Sequence, residues 1–92
     1  MATVSVQSVS NPKEVAIVFP NPSTGIFTFN FSGKPEKNNL IIYNMFGEAI
    51  YNTQFNKSTT QIDLSGRPAG VYLYRVLNEN GEAVASGKLI IQ

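Results

Sequence analysis

Ninety-two residues with 42% hydrophobic content, six Phe and four Tyr make one thin-cored globular domain, because a chain of this size buries only about 60–65% of its unfolded surface. Seven cations against six acids, with no histidine and no cysteine, exclude a disulfide frame, a thiolate metal site and the commonest general base. A net charge of +1 with no basic run gives no footprint for nucleic acid or for an anionic membrane.

Residues 1–13 are polar and serine-rich, with weakly alternating valines and Asn11-Pro12 as a boundary. They read as a linker or tail that can add an edge strand, with the domain proper at 14–92. The opening residues lack the basic start and apolar centre of a signal peptide, and no window approaches the roughly 18–20 apolar residues that span a bilayer. Direct membrane insertion is therefore not expected.

A first strand is expected at 14–19, EVAIVF. The segment Pro20-Asn21-Pro22-Ser23-Thr24-Gly25 follows as a corner. Its prolines fix φ and withhold N–H groups, while Asn21 or Ser23 can bond nearby backbone. Phe27, Phe29 and Phe31 then alternate with Ile26, Thr28 and Asn30, which gives a strand with an aromatic inner face. The run from 40 to 55 reads as a hairpin, strands at 40–44 and 49–55, turning through Met45-Phe46-Gly47 with Gly47 at positive φ.

A short strand at 60–64 and the turn SGRPAG lead to the clearest strand, 71–77. An Asn-Gly turn at 78–81 and a last strand at 83–91 complete the chain. Tyr72, two residues after Gly70, is placed to set its hydroxyl against neighbouring backbone, as the tyrosine corner of Greek-key sandwiches does. About seven short strands at 8–12-residue spacing, with no helical stripe and no internal repeat, give an all-β, immunoglobulin-like antiparallel sandwich.

Catalytic and cofactor chemistry finds little purchase. The acids Glu14, Glu36, Glu48, Asp63, Glu79 and Glu82 stand singly, so neither a glycosidase pair nor a calcium loop is expected. PSTG and SGKL lack phosphate-loop spacing and read as turns. Tyr43, Tyr51, Tyr72 and Tyr74 raise a carbohydrate platform as a minor alternative to core and rim roles. No enzyme activity, metal or cofactor is expected.

Four elements in order, FPNPSTGIFTFNF, LIIYNMFGEAI, IDLSGRPAGVYLYRV and a terminal GKLIIQ, resemble the C-terminal sorting domain of the type IX secretion system of Bacteroidota-type bacteria, the Por secretion system tail family. The resemblance runs from about residue 18 to 92. It rests on Pro20, Asn21, Pro22 and Gly25, on Tyr43, Asn44 and Gly47, on Ala69, Gly70 and Tyr72, and on Lys88, Leu89, Ile90, Ile91 and Gln92. One departure is a single Lys88 where many members carry a basic pair.

The resemblance implies a non-catalytic export signal that follows an N-terminal cargo. Type IX translocon and shuttle components are its expected partners. A sortase-like surface protease is expected to remove it within residues 1–13 and to link the cargo to a lipopolysaccharide anchor, so the cargo ends secreted or on the cell surface. The Met start suggests a fragment whose cargo has been removed. KLIIQ, apolar on both faces, is expected to offer an unpaired edge that a translocon component extends by strand addition, Leu89, Ile90 and Ile91 filling pockets, while on one of its two faces Leu89 or Ile90 is expected to fill the domain's own core instead. Removing residues 88–92 is then expected to block export and leave a folded domain. An immunoglobulin- or fibronectin-like adhesion or carbohydrate-binding module is the alternative.

Overall fold

A computed structural model describes residues 16–32 and 37–92. Among these residues seven strands form, β1 (Ala16–Phe19), β2 (Ile26–Phe31), β3 (Asn38–Tyr43), β4 (Ala49–Phe55), β5 (Thr59–Asp63), β6 (Gly70–Leu77) and β7 (Ala83–Ile91). No helix occurs among the described residues. The expected linker at 1–13 and the start of the first expected strand at 14–15 lie outside the described residues.

The period-two pattern becomes two antiparallel sheets, one ordered β1-β2-β5 and the other β4-β3-β6-β7. Phe27, Phe29 and Phe31 of β2 project from the smaller sheet into a single core, which Leu40, Ile42, Phe55, Tyr72, Tyr74, Val76, Leu89 and Ile91 fill from the larger one. Two edge-to-face aromatic pairs join the sheets, Phe29 with Tyr74 at 5.0 Å and Phe31 with Phe55 at 5.7 Å between ring centroids. Such pairs add about 0.5–1.5 kcal/mol each beyond the area they bury.

The larger sheet contains a repetition that the sequence reading missed. Its two hairpins, β3-β4 and β6-β7, turn through Asn44-Met45-Phe46-Gly47-Glu48-Ala49 and Asn78-Glu79-Asn80-Gly81-Glu82-Ala83. In each, the Asn N–H donates to the Glu carbonyl (3.0 and 2.9 Å) and the Gly N–H donates to the Asn carbonyl (3.0 Å in both). The Asn Oδ1 accepts from the backbone N–H two and four residues on, and its Nδ2 donates to the Glu Oε1. The glycines have φ of 83° and 81°. Even the register shift recurs, at Tyr43 opposite Ala49 and at Leu77 opposite Ala83.

Asn44 therefore belongs to the turn, not to the end of a strand, because its side chain satisfies the turn's own N–H groups. Since β3 and β6 are antiparallel neighbours, the two hairpin tips project from opposite ends of the sheet.

Candidate functional site

Gly70 of β6 pairs with Ile91 of β7, so the SGRPAG turn and the end of the chain lie at one end of the larger sheet. The PNPSTG corner reaches the same place. Ser23 forms a parallel bridge to Ile91, with its N–H donating to the Ile90 carbonyl (3.0 Å) and its carbonyl accepting from the Gln92 N–H (2.9 Å).

Asn21 extends this clasp with its side chain. Its Nδ2 donates to the Lys88 carbonyl at 2.8 Å and its Oδ1 accepts from the Ile90 N–H at 2.9 Å. One carboxamide thus replaces the peptide unit of a neighbouring strand. The peptide bonds before Pro20 and Pro22 are both cis, and neither proline brings an N–H to this edge.

Gly25 fixes the corner from behind. Its carbonyl accepts from the Leu64 N–H at 2.7 Å, and a Cβ there would lie 2.8 Å from the Ser65 Cα at a φ of +142°. Only glycine permits that approach. Ser23 Oγ is buried between the Ile26 carbonyl (2.7 Å) and the Gly25 N–H (3.1 Å). Next to Gly25, the Ser65 hydroxyl, and then the Ser65 N–H at 2.8 Å, hold the Asp63 carboxyl below its usual range.

The tyrosine corner is present, with the Tyr72 hydroxyl donating to the Pro68 carbonyl at 2.6 Å. Arg67 Nη2 donates to the Ile50 carbonyl at 2.9 Å, which ties this turn to β4. Gly47 sits in the adjacent hairpin tip, whose Met45 and Phe46 border a cavity of about 350 Å³ with Arg67, Pro68 and Val71.

Pro20, Asn21, Pro22, Gly25, Gly47, Gly70, Tyr72 and residues 88–92, remote from one another in sequence, thus occupy one end of the sandwich. The strand-addition expectation needs correction at residues 88–92. Leu89 is 0% and Ile91 4% exposed, both in the core, and the outward Lys88, Ile90 and Gln92 backbone groups are held by Asn21 and Ser23. Of the three apolar side chains only Ile90 faces outward. Among the described residues β7 nonetheless ends its sheet, with β6 as its one neighbouring strand, and the clasp engages only its last residues.

The four tyrosines do not form one platform either. Tyr72 and Tyr74 are buried and Tyr51 packs against the core, because alternation turns those positions inward. Among the described residues, no three His, Cys, Asp or Glu side chains gather as metal ligands.

The sequence reading also missed Gly87, opposite Tyr74. A Cβ there would meet the Tyr74 ring at 2.6 Å, so the glycine makes room for the aromatic, a pairing visible only once the register is known.

A family model described as "Secretion system C-terminal sorting domain" matches residues 17–92. An endo-acting ulvan lyase of Formosa agariphila is 30% identical over 95 residues, covering 97% of this chain and 18% of the lyase. The chain therefore spans about a fifth of that relative. A DUF3244 family protein from Bacteroides vulgatus with an immunoglobulin-like β-sandwich fold superposes with a TM-score of 0.68 at 15% identity, over 84% of each chain. At that identity the likeness concerns the fold alone.

Proposed function

The chain belongs to the secretion system C-terminal sorting domain family, whose members direct export across the outer membrane by the type IX route, and from that premise we propose how this domain presents its signal. The sandwich acts without catalysis, as a folded tag on an N-terminal cargo. Its recognised end is built from Pro20, Asn21, Pro22, Gly25, Gly47, Gly70, Tyr72 and residues 88–92. Translocon and shuttle components of the type IX system read that end, and a sortase-like surface protease cuts within residues 1–13, ahead of the domain at 14–92.

The observation that supports this reading is the clasp. Asn21 and Ser23 hold the edge of residues 88–92, so the first and last elements of the resemblance form one surface. The end of β7 then serves as a shaped patch, with Ile90 and Lys88 outward, while Leu89 and Ile91 keep the core intact.

The test places the whole chain behind a fluorescent reporter in a bacterium that has this secretion system. The reporter should reach the medium or the cell surface, and should stay inside when the translocon is deleted. A reporter retained in cells with an intact translocon would remove the reading.

A further inference from the structure

Resting on the sorting reading, we propose that the Met45-Phe46 hairpin tip, together with the basic outer face of the larger sheet, docks into an apolar cleft rimmed by carboxylates on a protein of the export machinery. The two tips of this sheet supply the comparison. Both turns use the same Asn, Gly and Glu in the same hydrogen bonds. One carries Glu79 and Asn80 at its centre; the other carries Met45 and Phe46, 75% and 89% exposed. The fold thus makes this turn with polar central residues, and nothing in its geometry calls for a methionine and a phenylalanine in water. Exposed aromatics of this kind mark contact sites when grouped with other apolar surface.

Such surface adjoins the tip. The cavity beside Phe46 opens onto Val71, and from there the outer face runs through Leu73 and Ile90, both exposed, to Tyr43. Arg67 lines the cavity, while Arg75 and Lys88 flank Leu73 in a second groove. Among the described residues, the outward positions of β3, β4, β6 and β7 carry no Asp or Glu. Glu48, at the base of the tip, is engaged by Asn44. An apolar anchor beside a sheet face whose charged side chains, among the described residues, are all cationic fits a partner with carboxylates opposite that face, which both steers the encounter and fixes its orientation. The tip also stands at the end of the sandwich that carries the clasp.

The sheet itself supplies a variant that keeps the fold. Met45→Glu with Phe46→Asn writes the sequence of the second turn into the first, so the purified chain should melt within a few degrees of the parent. A loss of the folded state would contradict the interchangeability of the tips and overturn the argument.

Fused behind a reporter in type IX-competent cells, the parent chain should be exported, the tip variant at least about tenfold less, and Arg75→Glu severalfold less. If the parent is not exported, the sorting reading falls and this proposal with it. If the tip variant is exported as well as the parent, only the docking proposal falls. The purified parent should sediment as a monomer and stay in the supernatant with phosphatidylglycerol-phosphatidylcholine vesicles. Dimers that the tip variant dissociates, or vesicle binding that it abolishes, would replace the protein partner with a second copy or a membrane and so overturn the assignment.

Discussion

Asn21 bonds across 67 and 69 residues of chain to Lys88 and Ile90, so its substitution should be felt at the far terminus. Asn21→Ala is expected to lower stability by about 1–2 kcal/mol for two exposed hydrogen bonds. Amide exchange at Ile90 should quicken while exchange in β3 is unchanged, as NMR can follow. Gly25→Ala should cost more, about 2–5 kcal/mol from backbone strain and overpacking together, because the Ser65 backbone cannot withdraw without giving up the Leu64 to Gly25 hydrogen bond. A urea titration would rank the two. Tyr74 provides a pH signature, since burial pushes its phenol above the ordinary value of 10.0. A raised value in the fold means that its contribution is complete below pH 10 and is lost as the pH rises through that raised value. The alkaline decline in stability should therefore be shallower in Tyr74→Phe. At this scale the sequence showed which residues were special but not their partners, which depend on register and on the closing of the two ends.

The twin hairpins are the clearest case for the element scale. Each Asn side chain makes two bonds to turn N–H groups and one to a Glu carboxylate, so Asn44→Ala and Asn78→Ala should lose similar amounts. About 1–2 kcal/mol each is expected, which for a domain of this size lowers the melting temperature by roughly 4–8 °C per kcal/mol. Markedly unequal losses would show that the tips differ in more than their central residues. At β7 the expectation changes sign. Removing residues 88–92 takes Leu89 and Ile91 out of the core, each worth about 2–5 kcal/mol by analogy with truncation to Ala. Against a total stability of about 5–15 kcal/mol the deleted chain should unfold, as circular dichroism would show. Export should instead be probed by Ile90→Ser, which leaves both buried side chains in place. The hairpins were legible from Asn-Gly and Phe-Gly signals; that one face of KLIIQ fills the core was legible too, but its being the face of Leu89 and Ile91 was hidden because KLIIQ is apolar at consecutive positions, and only pairing with β6 decides the phase.

For the whole molecule, the sandwich brings the first and last family elements to one end, and the export experiment belongs to that arrangement. The all-β class, the number of strands, the aromatic face of β2 and the family membership were all in the sequence, because alternation, turn residues and motif order are local properties that each segment carries by itself. Which sheet each strand joined, the clasp of Asn21 and Ser23 on the terminal edge, the inward turn of Tyr74 over Gly87, and the placing of Met45 and Phe46 at the motif-bearing end were decided only by tertiary structure. These are contacts between segments tens of residues apart, fixed by how two sheets bury one common core, and no local pattern encodes that choice.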